Sequence, residues 1–161
     1  MKKLKLKHIK NKTTSRQEDL IISEVYTPLT NYEIKLQMFL ESVSAGFPSP
    51  ADDYLEKKLD LNELLIHHPA ATFFVRVTGD SMVEAGIYSG DILVVDRSLN
   101  AKECSIVIAV VDGELAVKRL HFQKNKIYLL PENKNYQPIE ITAEMGFEIW
   151  GVVTTVVHSV L

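Results

Sequence analysis

The chain has 161 residues, of which 46% are hydrophobic and 24% are charged, a composition ordinary for a soluble globular protein with one core. Its formal net charge of −3 excludes a polycation that binds nucleic acid over its whole surface. No apolar run reaches the roughly 18 residues of a transmembrane helix, and no apolar stretch follows the basic N-terminus as a secretory signal requires. We therefore predict a cytoplasmic protein that does not enter a membrane.

Residues 1–46 are predicted to form an N-terminal arm that is partly disordered. Residues 2–16 carry seven basic side chains and no acidic one, which fits either a solvated tail or an arm that contacts nucleic acid. No aromatic residue lies among these lysines to stack on bases, so the sequence favours the solvated tail. Residues 20–26 and 32–39 are predicted to be extended, and apolar residues alternate in the second stretch with the period of a strand.

Residues 47–70 are predicted to connect the arm to the rest of the chain. Two prolines hold the start of this connector extended. A short helix is predicted over Ala51–Leu59. A second helix is predicted over Leu61–His67, with Asp60 as its N-cap.

The remainder of the chain, from residue 71 to residue 161, is predicted to be rich in β-strands. Asp112-Gly113 between two apolar runs indicates a two-residue hairpin turn. Many short strands with few helices favour a mainly β fold, a compact twisted sheet or partly open barrel. The candidate strands are Thr72–Val77, Asp91–Asp96, Ser105–Val111, Glu114–His121, Lys126–Leu130 and Phe147–His158.

The residues that most often bind metals and cofactors form no recognisable motif. Cys104 is the only cysteine, and we predict that it is buried as a small hydrophobic residue. His67 and His68 are adjacent, so on a helix they point in different directions, and we predict that they lie at the surface. Without a CxxC, a Walker loop or a dinucleotide fingerprint, we predict no metal and no cofactor.

Ser81 and Lys118 are the candidate catalytic pair. Ser81 follows an apolar run in a Gly-Asp-Ser-Met turn, where the backbone N–H groups of Ser81 and Met82 can bind a developing oxyanion. A serine needs a base, and lysine is a base only when neutral, a form that burial among apolar neighbours favours. Lys118 shares a strand face with Ala116 and Leu120. Spacing alone favours the alternative of an ordinary turn serine and a surface lysine.

Residues 34–161 resemble the LexA-like self-cleaving serine peptidases, peptidase family S24, and among them the proteins of SOS mutagenesis. The resemblance comes from many short motifs that are specific together and weak singly. They are Ser44–Ala51, Asp60–Ile66, Gly79–Met82, Gly90–Asp96, Ile106–Ala109, Asp112–Glu114, Val117–Lys118 and Gly151–Val153.

The resemblance implies a β-rich domain of the type shared by LexA C-terminal domains and signal peptidases, over residues 47–161. It implies that Ser81 attacks the Ala45–Gly46 bond, with Lys118 as general base. It further implies a homodimer, stimulation by a RecA filament on single-stranded DNA, and union of the shortened product with a UmuC-type DNA polymerase subunit. Two alternatives are a DNA-damage transcriptional regulator inactivated by self-cleavage and a processing protease that acts on other proteins.

Overall fold

The computed structural model describes residues 19–28, 35–38 and 57–161, and gives only the backbone at 35–38 and 57–59. The described chain is mainly β, which confirms the predicted fold class. Its elements are β1 (Ile21–Tyr26), β2 (Lys35–Met38), β3 (Lys57–Asp60), α1 (Leu61–Leu65), β4 (Thr72–Thr78), β5 (Ile92–Asp96), β6 (Ile106–Val111), β7 (Glu114–Gln123), β8 (Lys126–Leu130), β9 (Ile139–Ile141) and β10 (Phe147–Val157). In these described ranges, no helix is long and apolar enough to cross a membrane.

Eight of the strands form one antiparallel sheet in the order β1-β4-β5-β10-β6-β7-β8-β9. The other two, β2 and β3, pair with each other. The large sheet curls into a half-barrel, so β1 at one edge also contacts β7, which lies several strands away in the sheet order. This curl brings β1, the end of β4 and the middle of β7 together.

Alternating apolar residues on the strands fill the interior of the half-barrel. The larger cluster of buried side chains consists of Leu20, Val25, Val75, Val77, Met82, Ile87, Leu93, Val95, Ile108 and Val117. A smaller cluster consists of Val107, Ala109, Leu120 and Leu129. Residues just before and within β1 therefore belong to the main core, although the sequence places them in the arm.

The hairpin between β6 and β7 has the turn that the sequence predicts. Asp112 and Gly113 both have positive φ, 51° and 84°, as the primed two-residue turns require. The pairing of Val111 with Glu114 fixes the register, which places Lys118 opposite Val107 in the middle of the sheet.

The predicted helix over Ala51–Leu59 is wrong at its end, because Lys57–Asp60 form strand β3. Residues 51–56 lie outside the described part of the chain. Pairing of β3 with β2 supplies backbone hydrogen bonds that local helix propensity cannot outweigh. The predicted cap is confirmed, since the Asp60 carboxylate accepts from the N–H of Asn62 at 2.7 Å, but α1 ends at Leu65.

The prediction that Cys104 is buried is wrong, since its side chain is exposed. Cys104 lies in the turn before β6 and has a φ of 65°. The turn is closed by the N–H of Ser105, which donates to the carbonyl of Lys102 at 3.0 Å. A turn at the surface therefore decides the exposure of this residue, whatever its apolar character.

The carboxylate at the end of β5 contacts both the turn that follows β5 and the segment that precedes β4. Asp96 is buried and accepts hydrogen bonds from the N–H of Ser98 at 2.8 Å and from its hydroxyl at 2.6 Å. Nδ1 of His68, a residue that precedes β4, lies 2.6 Å from the same carboxylate. Burial acts to raise the pKa of Asp96, but the hydrogen bonds from Ser98 and His68 outweigh it and hold that pKa below its usual value.

We expect Asp96→Ala to lower the free energy of unfolding near neutral pH by about 1–3 kcal/mol, because it removes the buried carboxylate that accepts hydrogen bonds from Ser98 and His68. The contribution of Asp96 is present above the ordinary carboxylate pKa of about 3.9 and is lost as the pH falls through the lower native value. The difference between parent and variant should therefore shrink in acid. Urea unfolding at neutral pH and at about pH 3 measures it. Glu114→Ala, which removes an exposed carboxylate, is the control, and equal stability of Asp96→Ala and the parent at neutral pH would contradict the prediction.

Candidate active site

Ser81 lies in the turn that follows β4, at the point where the chain leaves the sheet. Gly79 has a φ of 110°, a conformation that residues with a Cβ rarely adopt, and lets the chain reverse directly before Asp80. The turn continues into a single 3-10 turn, Val83–Ala85. Ser81 is completely buried, so its hydroxyl is held in place and shielded from solvent.

The loop after β8 holds the backbone of this turn. The carbonyl of Ser81 accepts from the N–H of Glu132 at 2.9 Å, and the carbonyl of Asp80 accepts from Nδ2 of Asn133 at 3.0 Å. The Tyr136 hydroxyl donates to the Asp80 carboxylate. This loop runs from Pro131 to Pro138, between β8 and β9. Its role in fixing the serine depends on contacts between residues more than 50 positions apart.

Lys118 points into the interior from the middle of β7 and is only 1% exposed. Its Nζ donates to Oγ of Ser81 at 2.9 Å and to the carbonyl of Val117 at 3.1 Å. The structure therefore brings together the two residues that the sequence singled out. Arg119, the next residue, forms an ion pair with Glu132 and so connects β7 to the loop that holds Ser81.

A third polar group at this site was not found from the sequence. The Asp19 carboxylate lies 2.5 Å from Nζ of Lys118, and the two residues are 99 positions apart in the chain. The N–H of Leu20 donates to Oγ of Ser81 at 3.2 Å. Both members of the candidate pair thus contact the segment just before β1. Nothing in the local sequence of Asp19 signals this contact, because it depends on how β1 pairs in the sheet.

The predicted oxyanion donors, Ser81 and Met82, lie at the start of the turn. Its backbone hydrogen bonds are donated by Val83, Ala85 and Gly86, so the turn does not use the N–H groups of the two predicted donors.

The predicted scissile residues, Ala45 and Gly46, lie outside the described part of the chain. The arrangement as described has a nucleophile in contact with an amine, which is the minimum that a serine-lysine hydrolase needs.

Comparison with known proteins gives one family and a consistent set of relatives. The matching family model is described as Peptidase S24-like and covers residues 37–154. Protein SamA of Salmonella typhimurium is 52% identical over 122 residues, which are 76% of this chain and 84% of SamA. Protein MucA of Escherichia coli is 45% identical over 127 residues, covering 78% of this chain and 84% of MucA. The LexA repressor of Stenotrophomonas maltophilia is 38% identical over 113 residues, 70% of this chain and 53% of the repressor.

Proposed function

Because the chain belongs to the Peptidase S24-like family, it is a self-cleaving serine peptidase, and we propose that Ser81 and Lys118 are its catalytic dyad. The observation that carries the proposal is the 2.9 Å contact between Nζ of Lys118 and Oγ of Ser81 inside the protein. Buried lysines are rare and need a compensating role. Here the amine lies within hydrogen-bond distance of the one hydroxyl that it has to deprotonate.

The chemistry follows from this contact. Neutral Lys118 accepts the proton of Ser81 as Oγ bonds to the carbonyl carbon of the substrate, and the N–H groups of Ser81 and Met82 bind the oxyanion. When the tetrahedral intermediate collapses, the lysine gives the proton to the leaving amine. A water molecule then hydrolyses the acyl-serine, with the lysine again as base. Lysine therefore serves both steps that histidine serves in other serine hydrolases.

The proposed substrate is the chain's own Ala45–Gly46 bond. Small residues on both sides of the bond suit a narrow cleft, and the motif Ser44–Ala51 supports this assignment by its resemblance to the family. A tethered substrate is present at high effective concentration, so a modest intrinsic catalyst is sufficient. Cleavage at this bond would remove residues 1–45 and leave a product that begins at Gly46 and contains the predicted β-rich domain.

The protein acts in the SOS response, as a self-cleaving protein of SOS mutagenesis of the UmuD-like branch. The same resemblance supports three finer assignments: a homodimer, stimulation of cleavage by a RecA filament on single-stranded DNA, and union of the shortened product with a UmuC-type DNA polymerase subunit. The lysine-rich residues 2–16 lie outside the described residues, and a direct contact with DNA is not part of the proposal.

The purified full chain is expected to yield a product that begins at Gly46, and more of it when RecA, a nucleotide and single-stranded DNA are added together. Intact-mass analysis over time identifies the bond directly. The matched control omits only the single-stranded DNA, without which the filament does not form. A product that begins at any other residue would contradict the assignment of the bond, and an unchanged rate with the complete filament would contradict the assignment of the stimulator.

A further inference from the structure

The segment just before β1 lies where the substrate of the dyad has to bind. The N–H of Leu20 is 3.2 Å from Oγ of Ser81, and the Asp19 carboxylate is 2.5 Å from Nζ of Lys118. A productive substrate must bring its carbonyl carbon to within about 3–3.5 Å of the same oxygen. The Ala45–Gly46 bond and the Asp19-Leu20 segment therefore exclude each other from this position.

The position of this segment is fixed by strand pairing. Ile21 pairs with Thr78 at the start of β1, so the two residues before it run alongside the residues that lead from β4 to Ser81. The side chain of Leu20 is completely buried and packs in the same core cluster as Val77 and Met82. The contact with the dyad is thus anchored by apolar burial and by the β1–β4 ladder, and does not rest on one hydrogen bond.

The segment also opposes the chemistry of both catalytic groups. An ammonium that donates to a carboxylate has no lone pair with which to take a proton from serine, and a carboxylate beside an amine favours that ammonium. The hydrogen bond from the N–H of Leu20 engages a lone pair of the serine oxygen, which weakens it as a nucleophile. In these contacts Nζ of Lys118 and Oγ of Ser81 are both engaged by the segment before β1, in the place where a substrate would have to bind.

We propose that Asp19 and Leu20 form an autoinhibitory plug, which has to leave the cleft before the chain can cleave itself. The proposal rests on the assignment of Ser81 and Lys118 as the dyad. The observed rate of self-cleavage is then the rate in molecules whose cleft is unoccupied, multiplied by the fraction of molecules in that state. A stimulating partner can act by displacing β1 from β4, without changing the dyad.

Two variants weaken the plug through different contacts. Asp19→Asn removes the carboxylate charge at a side chain that is 44% exposed, so the fold should be unaffected. Leu20→Ala removes the buried anchor. Because the Asp19 carboxylate holds the segment on Lys118, we expect Asp19→Asn to accelerate self-cleavage by about tenfold. Glu24→Gln is the matched control, because it removes a carboxylate from the neighbouring strand β1, where Glu24 pairs with Arg76.

A second readout reports access to the cleft without using the Ala45–Gly46 bond. A fluorophosphonate probe bonds to a reactive serine oxygen with loss of fluoride, and the labelled residue is identified by mass. We expect Ser81 to be labelled faster in Asp19→Asn and Leu20→Ala than in the parent and in Glu24→Gln. Circular dichroism of each full-length variant establishes that it is folded.

The outcomes separate the plug from the dyad. If neither folded variant is labelled or cleaved faster than the parent, the plug is wrong, whether or not the parent cleaves itself. Cleavage between Asp19 and Leu20 would also overturn it, since the segment would then be a substrate. Continued self-cleavage in Ser81→Ala would instead refute the dyad.

Discussion

Self-cleavage is expected to fall by about a thousandfold or more in the Ser81→Ala chain, because the substitution removes the nucleophile itself. Without Oγ there is no acyl-enzyme, and the lysine has no hydroxyl to deprotonate. The backbone of the turn should keep its position, since it is held by the bond from the N–H of Glu132 to the carbonyl of residue 81, which any side chain allows. The loss therefore has a chemical cause and does not need a change of fold.

Intact-mass analysis of the full chain over several days at alkaline pH measures this loss. Ser89→Ala is the matched control, because Ser89 lies in the next turn and its hydroxyl accepts from the N–H of Gly79 at 3.4 Å without contacting Lys118. The control should cleave at the parental rate. If Ser81→Ala yields the same product at the same rate as the parent, the nucleophile is another group.

The parts of the fold that follow from local chemistry could be predicted from the sequence. Asp112 and Gly113 tolerate positive φ, so the hairpin was identified from two residues. Asp60 precedes a short apolar run as a helix cap should, and it accepts the expected hydrogen bond. In both places the determining interactions lie within a few residues in the chain.

Features that depend on long-range pairing were predicted wrongly or not at all. Lys57–Asp60 are a strand because β2 lies beside them, and the exposure of Cys104 depends on a surface turn. Asp19 is the clearest case, because a single aspartate in a polar segment carries no local sign of a contact with Lys118. Ser81 and Lys118 could be singled out in spite of a separation of 37 positions because the motifs around them resemble those of the family, and their contact supports the proposed dyad.

The same topology explains how an active dyad can be kept latent. Ser81 is positioned by β4 and the loop after β8, and Lys118 by β7, all of which lie in the predicted domain over residues 47–161. The proposed plug consists of the two residues just before β1, which precede the proposed scissile bond in the chain. Regulation can therefore act on one edge strand, while the catalytic geometry stays fixed by the interior of the sheet.

Lys118→Met is expected to abolish self-cleavage and to leave the protein as stable as the parent or more stable. The variant has no base, so cleavage should fall by about a thousandfold or more. The stability should not fall with it, because a buried amine incurs a desolvation cost that a methionine of similar volume does not, and replacing a buried ion pair with an apolar group is often neutral or stabilising. Its partner Asp19 is 44% exposed and can be solvated when the lysine is gone.

Mass analysis and thermal unfolding of the same sample measure the two effects together. Lys126→Met is the control, since Lys126 on β8 forms an exposed pair with Glu140 on β9 and its loss should affect neither property strongly. Parental cleavage by Lys118→Met would refute the lysine as base. A melting temperature lowered by more than about 2–4 °C, the shift that corresponds to roughly 1 kcal/mol in a chain of this size, would mean that the buried amine stabilises the fold. If activity is lost and stability is kept, the lysine is present for its chemistry, at a site where packing alone would favour an apolar side chain.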